Sequence, residues 1–200
     1  MVIYVSNEKL HSLVYEKRKE FNLLEKTKII IIDENEFLYF YDYYDKIQEN
    51  VKKNNINYSN AKKMLSVLSR YNYLKNAIYN NYFESEYFAW CDFSLSHVVK
   101  IPEKKIFNDD FNGKIKIGWV GRLINNKKFE YNHKVLAGGF FIGNIDAMTE
   151  LIILHNNYFE KLLKYGFTIN DDKLLFFIFE FNPYLFKTYL SVYLDILNKI

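Results

Sequence analysis

Two acidic residues stand where an apolar β-type run gives way to polar sequence: Asp33 after Thr27–Ile32, and Asp92 after Tyr87–Trp90 and Cys91. In open parallel sheets, ligands gather beyond the carboxyl ends of the strands, so these carboxylates are the first candidates for chemistry. A lone carboxylate at such an end can hold a divalent cation, Mn²⁺ or Mg²⁺, that keeps several waters and takes its other ligands from a substrate diphosphate. Asp92 is the better placed, with Ser94, Ser96 and His97 just behind it. On this reading His97 completes the metal shell or orients Asp92. Each has a plainer role as well. An Asp after a strand commonly makes a turn, and a single His with no second His at ligand spacing is commonly structural.

A second acidic pair, Asp171 and Asp172, opens the last periodic segment. Carboxylates at a helix start complement its dipole and free amides; the alternative use is to accept a proton from, or hydrogen-bond to, an acceptor hydroxyl. Gly138 and Gly139 interrupt an apolar strand, which marks a bulge or a close approach of backbone or ligand. His155 falls among Leu151, Ile152, Tyr158 and Leu162 and reads as a core histidine, while His11 and His133 belong to no constellation. Walker loops, Gly-x-Gly-x-x-Gly turns, nucleophile elbows and zinc signatures do not occur, so the usual marks of phosphoryl transfer, dinucleotide binding and serine hydrolysis are missing.

The elements that must position these residues emerge from periodicity. Val2–Val5 is a short β-type run, Ser6 can cap the helix after it, and Leu10, Leu13, Val14, Lys17 and Phe21 have helical spacing. The β-branched run 28–32 suits a strand buried on both faces. Strand, helix and strand make a βαβ unit, which implies a parallel sheet. Residues 34–58 show no clear period and read as short helical pieces and loop. A long helix then opens at Ser59 and carries Met64, Val67, Leu68, Tyr71, Leu74, Ile78 and Tyr82 on one face. Strands are expected at 87–90, 114–120 and 135–143, then a helix from Asn144 to Tyr165 closed by Gly166. The last helix opens at Asn170-Asp171-Asp172 and stops by Asn182-Pro183. The strands at 2–5, 28–32 and 87–90 are expected side by side in one sheet, with Asp33 and Asp92 on the same edge.

The 200 residues suit one domain, and 50% apolar content with 26% charge excludes disorder as a class. The single cysteine, Cys91, excludes an intrachain disulfide framework and points to a reducing, cytoplasmic setting. Apolar runs stop well short of the ~18 residues that a membrane span needs, so a soluble protein is expected. The net charge is +3, but the bases are 24 lysines and only three arginines, Arg18, Arg70 and Arg122. Arginine is the side chain suited to bidentate recognition of bases and phosphates, and acidic residues alternate with the lysines, so nucleic acid is not an expected partner.

The stretch Phe83 to Val98, with Phe88-Ala89-Trp90-Cys91-Asp92 followed by His97, resembles the HtrL/YibB glycosyltransferase-like family, which carries a Phe-Ala-Trp-x-Asp segment and a nearby His. Ser69-Arg70 through Ala77 is similar to the family's preceding Ser-Lys helix, with Arg70 in the lysine's place. Ala137 to Gly143 resembles its Gly-Gly-Phe strand, Asp171-Asp172-Lys173 stands at its Asp-Glu-Gln, and Pro183 to Phe186 matches its Pro-x-x-Phe.

That resemblance implies an α/β fold of GT-A type: a Rossmann-like, mostly parallel sheet flanked by helices, in a single domain over residues 1–200. It implies a metal-dependent glycosyltransferase that moves sugar from a nucleotide-diphospho-sugar to a glycan or protein acceptor. Asp92 and His97 would hold Mn²⁺ or Mg²⁺. Asp33, Arg70, Gly138 and Gly139 would bind the donor, and Asp171 or Asp172 would face the acceptor. The chain also departs from the family pattern. A strand expected before Val2–Val5 is missing, so the domain is expected to be shortened at its start. Ser191-Val192 replaces a Gly-Asp pair, and Asp92-Phe93-Ser94 lacks the second acid of an Asp-x-Asp motif. The competing expectation is a non-catalytic carbohydrate- or protein-binding relic of the same fold.

Overall fold

The computed structural model describes residues 1–33, 38–53, 61–92, 112–124, 128–167 and 171–191. The chain divides into two compact units, Met1–Ser85 and Glu86–Ile200.

In the first unit, strand β1 (Val2–Val5) leads into helix α1 (Glu8–Glu20), and β2 (Lys28–Ile31) returns parallel to β1, pairing Val2 with Lys28 and Val5 with Ile31. The βαβ reading therefore holds. The cap is Asn7 rather than Ser6: Asn7 is extended, and its Oδ1 accepts from the Leu10 amide at 2.9 Å. The expectation that β2 is buried on both faces is corrected. Among the described residues two strands form this sheet, Ile29 and Ile30 are half-buried, and Ile31 is 39% exposed.

Helix α2 (Leu38–Lys53) runs for 16 residues in place of the expected short pieces and loop. Its buried positions Ile47, Asn50 and Val51 include an amide, which blurs the apolar period. The single long helix expected from Ser59 is two: α3 (Ala61–Leu68) and α4 (Arg70–Asn80). Ser69 separates them. Its Oγ donates back to the Leu65 carbonyl at 2.6 Å, a bond that bends helices. The apolar face nevertheless continues across the step through Met64, Leu65, Leu68, Tyr71 and Leu74, all buried.

The second unit contains β3 (Tyr87–Cys91), β4 (Ile115–Ile124), β5 (Lys128–Asn144), α5 (Ile145–Lys164), α6 (Asp171–Phe181) and β6 (Phe186–Ser191). Its sheet has the order β3-β5-β4-β6. β5 is antiparallel to both β3 and β4, whereas β4 and β6 are parallel. A mostly parallel sheet is thus not what forms: the protein is mixed α/β with a mixed sheet. The short connection between β4 and β5 reverses the chain, and that reversal makes the pair antiparallel. Strands β1 and β2 lie in one sheet and β3 in another, so the expected three-strand neighbourhood is also corrected.

Residues paired across the strands share a face. Phe88, Trp90, Phe141, Ile115, Ile117 and Phe186 lie on one side. α5 and α6 pack on β5, and the Phe179 ring of α6 meets the Phe186 ring at 5.6 Å. Gly143 lies where a Cβ would press on Ile115 and Met148 at 3.2–3.3 Å. The expected boundaries of α5 hold: Asn144 Oδ1 accepts from the Ala147 amide at 2.9 Å, and Gly166 comes just after the helix at φ +80. His155 is fully buried, with its ring stacked on Phe159.

Candidate functional site

β3 alternates its side chains, so Phe88, Trp90 and the adjoining Asp92 point to one face. There the Trp90 indole Nε1 donates to Asp92 Oδ1 at 2.7 Å. The Asp92 backbone amide donates to the Gly139 carbonyl at 2.8 Å, extending the β3–β5 ladder one residue past the strand. Both the main chain and the carboxylate of Asp92 are therefore held.

The diglycine lies at a break in register. Ile117 pairs with Phe141, but two residues further along β4, Trp119 pairs with Leu136. Extra residues of β5 must be accommodated in that interval, and Gly138 and Gly139 are among them. The bulge expected from the paired glycines is present, and Asp92 abuts it. Both glycines are buried.

Cys91 occupies the opposite face, is exposed, and has its thiol pushed above its ordinary range by partial burial and then by the charge of Asp92. Sequence reasoning singles out neither Trp90 nor Cys91 as a site residue. A signal for Trp90 does exist, since residues two apart on a strand share a face.

Asp33 and Arg70 belong to the first unit, and Asp171 and Asp172 to helix α6 of the second. Asp33 is exposed, one residue past Ile32, whose amide donates to the Val5 carbonyl at 2.8 Å. Asp33 and Asp92 come after strands of different sheets, which corrects the expectation of one shared sheet edge. Arg70 is buried, with Nε donating to the Val67 carbonyl at 3.1 Å. Asp171 is 3% exposed and Asp172 half-buried, both in the first turn of α6, where negative charge complements the helix dipole. His97, Ser94 and Ser96 lie outside the described residues. Of the expected site residues, then, the structure brings Asp92 directly against Gly139 and its neighbour Gly138.

Among the described residues, no group of three or more His, Cys, Asp or Glu side chains is placed to hold a metal ion. Among the described residues Asp92 offers a single carboxylate, which suits a cation whose other ligands come largely from water and a diphosphate. No helix among the described residues is long and apolar enough to cross a membrane.

The fold and this corner define a two-unit α/β protein with a tethered strand-end carboxylate against a glycine bulge. The chain belongs to the HtrL_YibB family, described as a bacterial protein of unknown function, whose family model matches residues 1–199. No curated protein and no solved structure matches it.

Proposed function

We propose that the protein is a metal-dependent glycosyltransferase of the GT-A-like nucleotide-diphospho-sugar transferase superfamily, with its donor diphosphate bound at Asp92. The observation that carries the proposal is the contact of Asp92 with the diglycine bulge. A carboxylate fixed at a strand end beside this bulge offers charge for a cation–diphosphate complex.

In this reading Asp92 would hold Mn²⁺ or Mg²⁺ together with the donor diphosphate, and Trp90 keeps the carboxylate in one orientation. When bound, the cation would offset charge on the departing diphosphate. Gly138 and Gly139, in the bulge beside Asp92, would border the donor through their main chain. Asp172, less buried than Asp171, accepts the acceptor hydroxyl's proton as that oxygen bonds to the anomeric carbon and the diphosphate leaves with its electron pair. Asp171, buried at the helix start, stabilises α6. His97 is the second metal ligand expected from sequence. The proposal stands on the second unit; Asp33 and Arg70, in the first, enter as separate donor-side expectations, each tested by its own alanine variant.

The test is a thermal-shift screen of nucleotide-diphospho-sugars with and without Mn²⁺. Stabilisation should require donor and cation together, reaching about 2.7 kcal/mol when the complex is at a hundred times its dissociation constant. Absence of any shift across uridine, guanosine, adenosine and thymidine diphospho-sugars would overturn the reading.

A further inference from the structure

The second unit carries a second set of binding groups that the donor corner does not use. Glu150, Leu154 and Tyr158 stand four residues apart in α5 and form one row along the helix. The chain leaving α6 runs beside that row. At one end the rings of Tyr158, Phe177 and Phe181 form a cluster: Phe177 meets Phe181 at 4.7 Å and Tyr158 edge-on at 5.2 Å, and Phe181 lies 6.3 Å from Tyr158. Asn182 is fixed there, its Nδ2 donating to the Ile178 carbonyl at 3.0 Å and to Tyr158 Oη at 3.4 Å. At the other end Tyr184 Oη donates to Glu150 Oε1 at 2.6 Å. Two turns of helix separate the ends, a span of about 12 Å.

The cluster is held by its own ring contacts, yet Phe181 remains 62% exposed and Tyr184 57%. Phe181 is the exposed ring of the cluster and Tyr184 the exposed ring at the far end of the row, so the strip offers one ring at each end. The polar groups say what kind of ligand fits. A carboxylate at one end disfavours phosphate-bearing ligands. A dry protein partner would have to desolvate the Tyr184–Glu150 pair. An uncharged pyranose suits both features, because its C–H face packs on a ring while its edge hydroxyls reach an amide, a phenol and a carboxylate.

We propose that this strip binds a neutral oligosaccharide, with one sugar on Phe181 and Asn182 and the next toward Tyr184 and Glu150. Its role as an acceptor site rests on the transferase reading; binding itself does not, because it needs neither nucleotide sugar nor cation.

The experiment is calorimetric titration of the full chain, without donor or Mn²⁺, using cello-, malto-, chito- and manno-oligosaccharides of two to six units. At least one series should bind, more tightly from two units to three. Phe181→Ala should weaken that binding roughly tenfold, the upper range for an aromatic contact, and Tyr184→Phe should weaken it by a smaller factor. Tyr79→Ala, at an 88% exposed ring in the other unit, should change nothing. No binding by any series overturns the proposal, as does unchanged affinity in Phe181→Ala. Self-association that Phe181→Ala abolishes, with no oligosaccharide bound, would make the strip a protein interface and also overturn it. Failure of the donor screen leaves all these outcomes readable.

Discussion

Trp90 holds Asp92 by a 2.7 Å hydrogen bond from the indole Nε1 to Oδ1, two residues along the same face of the strand. Because the Asp92 amide is simultaneously tied to Gly139, the carboxylate has a defined direction at the end of β3. Asp33, the other strand-end acid, is exposed just past the two-stranded sheet of the first unit.

Trp90→Phe keeps the ring's packing and deletes the donor. Partners that orient a metal-binding side chain typically contribute about 10–100-fold in affinity, so the variant should bind the Mn²⁺–donor complex about tenfold more weakly. The accompanying loss of stability should be about 1 kcal/mol, since the bond is only part-buried. Calorimetry with parent and variant checks the first figure and urea unfolding the second. Unchanged affinity would leave Trp90 with a packing role alone.

Gly143→Ala tests how closely α5 sits on the sheet. The new methyl would lie 3.2 Å from Ile115 Cγ1 and 3.3 Å from Met148 Cγ and Sδ, and both side chains are fully buried. Overpacking of this kind costs about 1–3 kcal/mol. A lowered urea midpoint at unchanged slope is expected, with the lower figure if Met148 swings aside. An unaltered midpoint would mean that helix and sheet separate freely there.

Much of the second unit is legible in the sequence. An apolar run locates β3 and alternation β4, Asn144 and Gly166 bracket α5, and the paired glycines announce the bulge. Strand direction is not legible, because a short apolar run such as Phe88-Ala89-Trp90 packs equally well parallel or antiparallel. Only its pairing with β5 decides. In the first unit, α2 escapes a periodicity reading because Asn50 sits among its buried positions. The break at Ser69 escapes it because the apolar face runs on unbroken while the Ser69 hydroxyl donates back to the Leu65 carbonyl at the step between the helices. At the site, the candidate acids are visible by type, but the Trp90 bond and the Gly139 contact depend on tertiary pairing.

Tyr4 gives the first unit a dependence on alkaline pH. Its hydroxyl donates to the Tyr73 carbonyl at 2.9 Å and to Asn76 Oδ1 at 3.0 Å, and its ring stacks on Tyr73 at 4.7 Å. Burial, and then the neighbouring Tyr82 and Tyr73, raise the phenol well above its usual 10.0. The folded chain thus holds this proton more tightly than the unfolded chain. The stabilisation is fully present below about pH 10 and is lost as pH climbs toward the folded value. Urea midpoints should fall as pH rises above about 10, and Tyr4→Phe should show a smaller fall. An equal fall in both would assign the effect to other tyrosines.

The most direct test of the central claim is calorimetric titration of Mn²⁺ into parent and Asp92→Asn, each with and without a saturating nucleotide-diphospho-sugar from the screen. With one protein carboxylate and, among the described residues, no three-residue ligand group, the parent should bind the cation tightly only when the diphosphate is present. Asp92→Asn should lose at least about tenfold in that affinity while its ligand-free melting temperature stays close to the parent's. Equal affinity in parent and variant would contradict the account and leave Asp92 a turn residue at the end of β3.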